Sequence, residues 1–209
     1  MKRQKQHWLP KPEWMGMDAF VLGGGPSLCS FDFSTLHGRC VVGCNAAFLL
    51  GVDVCSICFF SDPGFLQTFE SQLCEYGGRV VTNSEEVYTP WVLSMPREEI
   101  GLWHDRIGFG YNSGCGAINL ALILGARRVF LLGIDGHSCG LRSHWHGLYG
   151  HTAPEPDVYD QFRKGFDAVA RDLPHKFPGR EIINLNPDSS VRCFPFGDIE
   201  QVLFSEIAV

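Results

Sequence analysis

Short runs of β-branched and other apolar residues recur along the chain, and between them lie longer stretches with helical spacing. The runs at 19–22, 40–44, 54–60, 79–82, 129–132 and 181–184 predict strands, and the spacing at 46–50, 64–76, 114–124 and 158–173 predicts helices. Strands and helices that alternate in this order form parallel βαβ units. Several strand runs are apolar at every position and not at every second one, so both faces of the sheet should be covered. The expectation is an α/β fold: one doubly wound, mostly parallel sheet with helices on both faces. A single domain should span 18–209 after an amino-terminal tail at 1–17.

Two stretches break the pattern. Residues 83–112 carry Pro90, Trp91, Pro96, Trp103 and His104 without clean periodicity, and read either as an insertion with irregular strands or as part of a site wall. Residues 136–156 are rich in His, Gly and Pro, and a connection of that length inside a compact domain is usually functional or mobile.

Composition narrows the classes. At 209 residues and 45% hydrophobic, the chain suffices for one sizeable core and is short for two. A formal net charge of -6 argues against a broad nucleic-acid-binding face, which needs many Lys and Arg to neutralise phosphates. The local exception, Lys2, Arg3, Lys5 and Lys11, reads as a solvated tail. The nine cysteines lack the spacing of a small secreted domain and no signal peptide precedes them, so a reduced, cytoplasmic protein is expected. Cys55 and Cys58 have a redox or zinc spacing, but on a strand residues three apart face opposite sides, which favours core packing. No run of about 20 apolar residues occurs, so no membrane-spanning helix is expected.

Four features could carry chemistry. The first strand runs into Gly23-Gly24-Gly25-Pro26-Ser27, where glycines allow close backbone approach to a phosphate and the turn offers N–H donors. It is not a Walker loop, because no Gly-Lys-Ser/Thr follows. Asn45, Asp62 and Asp135 each follow a strand, and an open parallel sheet binds ligands outside those strand ends, so the three should converge beside the glycine turn. Each also has a local reading as a cap or turn former, Asp62 before Pro63 above all. Asn112 or Ser113, ahead of Gly114, would cap the next helix, whose free N–H groups make an anion site. Last, His137, His144, His146 and His151 place half of the chain's eight histidines in one loop. A neutral imidazole can accept a proton near pH 7, or bind a metal. If residues 143–147 are extended, His144 and His146 face one side and Trp145 the other.

In this order the motifs Val-Leu-Gly-Gly-Gly-Pro-Ser-Leu, Gly43-Cys-Asn45, Ser61-Asp62, Asn112-Ser-Gly114, Gly133-Ile-Asp135 and Asn184 to Ser189 resemble a superfamily of Rossmann-like transferases. It includes the bacterial lipooligosaccharide sialyltransferases and the domain of archaeal 6-hydroxymethylpterin diphosphokinases. Small phage-encoded proteins with a His-Trp-His-Gly segment like residues 144–147 look closest. The resemblance implies nucleotide binding by Gly23, Gly24, Gly25, Pro26, Ser27, Asn45, Asp62, Asn112, Ser113 and Gly114, with Asn186, Pro187 and Ser189 closing the nucleotide side. It also implies a metal-free reaction with a loop histidine, His144 or His146, as general base, and Asp135 beside it. Gly24 and Asp62 stand where the sialyltransferases have Asn, which argues against a sialic-acid donor and leaves another nucleotide-sugar or a diphosphate open.

The leading expectation is a glycosyltransferase-like enzyme with a nucleotide-sugar as co-substrate and a hydroxyl acceptor: a glycan, a small molecule or a hydroxymethylated DNA base. A DNA acceptor would need a cationic surface from Arg127, Arg128 and Arg142 with the amino-terminal lysines. Two alternatives stand beside it. One is a diphosphotransferase with magnesium at Asp62 or Asp135; the other is a phage protein that binds a nucleotide without catalysis.

Overall fold

The structure is a computed structural model that describes residues 5–149 and 156–204. Strands β1 (Asp18–Leu22), β2 (Cys40–Cys44), β3 (Ile57–Phe60), β4 (Arg79–Thr82) and β5 (Leu93–Ser94) are followed by two short ones, β6 (Arg97–Glu98) and β7 (Ile107–Gly108), and then by β8 (Arg128–Leu132) and β9 (Glu181–Asn184). Helices α1 (Pro63–Glu75), α2 (Ser113–Ile123), α3 (Pro156–Lys176) and α4 (Ile199–Phe204) fall between and after them. Seven strands form one parallel sheet in the order β5-β4-β3-β2-β1-β8-β9, and β6 pairs only with β7. This is the expected Rossmann-like α/β arrangement.

Both faces are covered because the central strands are apolar on both sides. In β1, Ala19 and Val21 point into a core shared with α2 and α3, while Phe20 and Leu22 point into one shared with Leu28, Leu36 and α4. Under β3 and β4 the second face continues with Phe65, Phe69 and Leu73 of α1. A one-residue slip of β1 would exchange these two sets, so the register is strongly specified. Helix α2 is buried from Gly114 to Leu122, with no polar face, since the sheet lies on one side and the β6–β7 insert and α3 on the other.

Several details differ from expectation. β3 starts at Ile57 and not at 54, because Val54 and Cys55 donate to Gly51 O in the preceding turn. Cys55 and Cys58 consequently share one apolar cluster with Phe48 and Tyr76 instead of facing opposite sides. Burial pushes the Cys55 thiol up to about 11, as suits packed, unreactive sulfur. Residues 45–50 form a 3₁₀ turn and not an α-helix. The amino-terminal lead is docked from Lys5 onward: Lys5 Nζ donates to Ser84 O, Trp8 N–H to Ser94 O, and Trp14 is buried against α2, so the compact unit begins before residue 18. Among the described residues no helix is long and apolar enough to cross a membrane.

One buried side chain ties the insert to the core. Asn119 on α2 accepts from Trp103 N–H (3.2 Å) and Gly108 N–H (3.1 Å) and donates to Trp103 O (2.7 Å). Its removal orphans three backbone groups in a place water does not reach. Asn119→Ala should lower stability by about 2–4 kcal/mol, read in urea denaturation as a lower midpoint at unchanged slope.

Candidate functional site

β1 sits between β2 and β8, so the chain leaves β1 toward one side of the sheet and leaves β8 toward the other. The diverging connections open a crevice over the strand ends, where open parallel sheets bind ligands. A cleft of about 610 Å³ lies there. Of the residues expected at a site, Gly23, Gly24, Gly25, Asn45, Asp62, Asn112, Ser113, Gly114, Asp135 and His144 line it; Pro26, Ser27, His146, Asn186, Pro187 and Ser189 do not.

Three of the absent ones, Ser27, Asn186 and Ser189, have other work around Asp135. This carboxylate, 3% exposed, accepts from Ser27 N–H (2.8 Å), Ser27 Oγ (2.7 Å) and Asn186 Nδ2 (2.7 Å). It fits only because residue 25 is glycine, since a Cβ there would collide with the carboxyl group. Ser189 Oγ donates to Ile134 O (2.6 Å), holding the same loop from behind. The expected catalytic or metal-binding Asp135 is thus a clamp between the glycine turn, the end of β8 and the loop after β9, and with its oxygens occupied it does not fit a magnesium site. The cluster of donors expected at the turn also shrinks. Gly23 N–H goes to Leu132 O and Gly25 N–H to Gly133 O, both at 2.8 Å, and Gly24 N–H alone is left for the cleft.

More donors come from the start of α2. Asn112 N–H donates to Phe109 O, and Asn112 Oδ1 accepts from Cys115 N–H at 2.9 Å. The N–H groups of Ser113 and Gly114, which have no acceptor within the helix, are left facing the cleft. Ser113 Oγ donates to Asn45 Oδ1 (3.3 Å), linking the tip of β2 to this helix start. Asn45 (φ 51°) and Tyr111 (φ 64°) are the non-glycine residues in the left-handed region among those described, and both line the cleft. Such strain concentrates at functional sites. Asp62 caps α1 by accepting from Gly64 N–H (2.9 Å) through Oδ1, so a single oxygen remains for a cation. Its neighbour Ser61, 5% exposed, has an Oγ without any hydrogen-bond partner.

The histidine loop closes one edge. Trp145 N–H donates to Gly24 O (2.9 Å), and the Trp145 ring packs on Phe33 at 4.9 Å. The rings of His144 and His146 stack at 5.1 Å, each with Tyr149 edge-on, and the Trp145 ring meets that of His146 edge-on at 5.0 Å. His144 lies against Gly24, with Nδ1 2.8 Å from Ser143 Oγ. Burial lowers the His144 pKa; burial and then the nearby His144 lower that of His146 to about 4. Both rings are therefore neutral at pH 7. His137 is pinned by Nδ1, 3.0 Å from Asp135 O; a carbonyl only accepts, so Nδ1 carries the proton and Nε2 is the free acceptor. His151 lies outside the described residues. Among those described, no three His, Cys, Asp or Glu side chains converge as a metal site.

Sequence reasoning missed Ser61, Tyr111 and an aromatic wall. Ser61 shares the strand-end logic that singled out Asp62, and Tyr159, Phe162 and Phe166 share one face of α3 at i, i+3 and i+7. The arginines expected to make a cationic surface do not come together. Arg127 and Arg128 pair with Asp18 at the amino end of the sheet, whereas Arg142 lies beside Cys29 at the carboxyl end.

Fold and cleft together define a Rossmann-like α/β protein with an open crevice at the switch point of its sheet. Comparison of the chain with protein-family models, with curated proteins and with solved structures gives no match.

The depressed His146 pKa has a pH consequence. Between the ordinary histidine value near 6.5 and about 4 the unfolded chain binds a proton at residue 146 that the folded chain refuses. The stability this group contributes is whole above about pH 6.5 and drains away as pH falls toward 4. Melting temperature should fall more steeply from pH 7 to pH 4.5 in the wild type than in His146→Phe; parallel curves would contradict the assignment.

Proposed function

We propose that the protein is a glycosyltransferase-like enzyme that moves a sugar from a nucleotide donor to a hydroxyl acceptor. One observation carries the reading: unpaired donors from two separate elements, Gly24 N–H and the Ser113 and Gly114 N–H groups, line the same cleft as a neutral His144. Fixed donors of this kind stabilise charge as it develops on a departing phosphate, without the reorganisation water would need. No Lys or Arg lines the cleft among the described residues, so the anion relies on N–H groups and on the partial positive end of α2. That suits a singly charged phosphate diester, as in a nucleoside-monophosphate sugar. A diphosphate would need a cation brought by Asp62 and the substrate together.

In the reaction, His144 donates Nδ1–H to Ser143 Oγ and uses Nε2 as base. Nε2 takes the acceptor's hydroxyl proton, the oxygen bonds to the anomeric carbon, and the carbon–oxygen bond to phosphate breaks with its electron pair leaving on phosphate. Burial helps twice: it keeps the imidazole unprotonated below the ordinary histidine range and excludes water as a competing acceptor.

The test is incubation with a panel of nucleotide-sugars and acceptors, with products read by mass spectrometry. Release of a nucleoside monophosphate together with a glycosylated acceptor is expected. His144→Ala should lower turnover by about 10²–10⁴-fold while nucleotide affinity stays within about threefold. The wild-type rate should hold below pH 6.5, because the base deprotonates at lower pH than a free histidine. Magnesium-dependent diphosphate transfer, or retention of a nucleotide with no donor consumed, would replace this reading by one of its alternatives.

A further inference from the structure

The glycine turn after β1 divides the cleft into two chemically different halves. Toward β2 and β3 the tips are polar: Asn45, Ser61 and Asp62. Toward β8 the wall is aromatic. Tyr159, Phe162 and Phe166 come from one face of α3, and Phe109 and Tyr111 approach from the segment before α2. The Tyr111 hydroxyl is already engaged, Oη donating to Glu99 Oε1 (3.2 Å), and the Tyr159 hydroxyl lies near Ser138. The Phe109 ring is held by the Arg97 guanidinium, 3.7 Å from its centroid. What this half presents is mostly ring surface, beside His137, whose Nδ1–H donates to Asp135 O and whose Nε2 in the neutral ring is an acceptor. No Lys or Arg lines it among the described residues, so an anionic guest has no cationic partner there.

We infer that the β8 half of the cleft is a subsite for a neutral, planar aromatic group that carries a hydroxyl, with the rings packing its faces and edges and its O–H donating to His137 Nε2. Aromatic pairs favour offset and edge-on contacts, and a wall of differently tilted rings supplies both. A monosaccharide would leave most of its hydroxyls unpaired against that wall, which is costly. On the transferase reading, on which its catalytic meaning rests, this group belongs to the acceptor, whose second hydroxyl is the one that reaches His144, so the substrate class is a diphenol or a hydroxyaryl alcohol and not a glycan.

Binding of small probes to the whole chain tests the idea without any donor. In ligand-observed NMR titration, phenol should bind about fivefold more tightly than its methyl ether anisole, the size of one hydrogen bond. That gap should close in His137→Phe. Phe162→Ala should weaken phenol and anisole alike by about five- to tenfold, and Phe162→Leu, which keeps apolar bulk in the wall, should weaken them less. Cytidine and uridine monophosphate should bind Phe162→Ala as they bind the wild type. The inference is overturned if phenol binds no better than cyclohexanol or methyl galactoside. It is equally overturned if Phe162→Ala costs nucleotide affinity and spares phenol, since the rings would then hold a nucleobase. If neither nucleotide binds the wild type while phenol, anisole and the variants behave as expected, the aromatic subsite stands and the nucleotide-donor reading falls.

Discussion

The carboxyl end of the sheet is organised by a buried carboxylate that has no counter-ion. Asp135 is 3% exposed, and its charge is met by a backbone N–H, a hydroxyl and an amide, with no Lys or Arg paired to it among the described residues. Desolvating a carboxylate is costly unless its lone pairs are met, and three short bonds meet them. The donors come from residues 27 and 186, on strand ends flanking β8 on either side. One side chain therefore sets how far the β1 turn, the β8 end and the loop after β9 can move apart, which is the width of the crevice.

The clamp also decides which groups are left for a ligand. Once Ser27 N–H is given to Asp135, and Gly23 and Gly25 N–H to the β8 strand end, Gly24 N–H remains at the turn. The Asn112 cap performs the same subtraction at α2, taking Cys115 N–H and leaving those of Ser113 and Gly114. The free donors are few and well separated, each held by a neighbour that is satisfied. A site built by such subtraction is preorganised, since nothing in it must be stripped of a competing partner before a ligand arrives.

Much of the sheet was legible in the sequence because burial on both faces writes itself as unbroken apolar runs, as at Val41-Val42 and Phe59-Phe60. The convergence of Asn45, Asp62 and the glycine turn followed from topology alone. The facing of His144 and His146 was expected from an extended 143–147, whereas residues 144–147 bend and bring the Trp145 ring to 5.0 Å from that of His146. The role of Asp135 was not legible, because it depends on a partner 108 residues away whose approach is fixed only when β1 and β8 pair. Cys55 misled for a related reason: a single backbone bond from its N–H to Gly51 O starts the strand two residues beyond it and changes the face its thiol takes. The aromatic wall was present as spacing on α3, but apolar rings at i, i+3 and i+7 look the same whether they meet a core or a cavity.

Gly24 couples the histidine loop to the glycine turn. Its carbonyl accepts from Trp145 N–H, which fixes the histidine loop, and its own N–H is the donor left open at the turn. A side chain at this position would collide with the His144 ring, so the imidazole can lie close to the open N–H only above a glycine. The His144 imidazole and the open Gly24 N–H are thereby held within one residue's reach, by contacts that do not involve a ligand. The loop is anchored on its other side by Trp145 against Phe33, so displacing His144 means unpacking an indole as well as breaking a hydrogen bond. The histidine loop is accordingly anchored at two points, one on the glycine turn and one on Phe33.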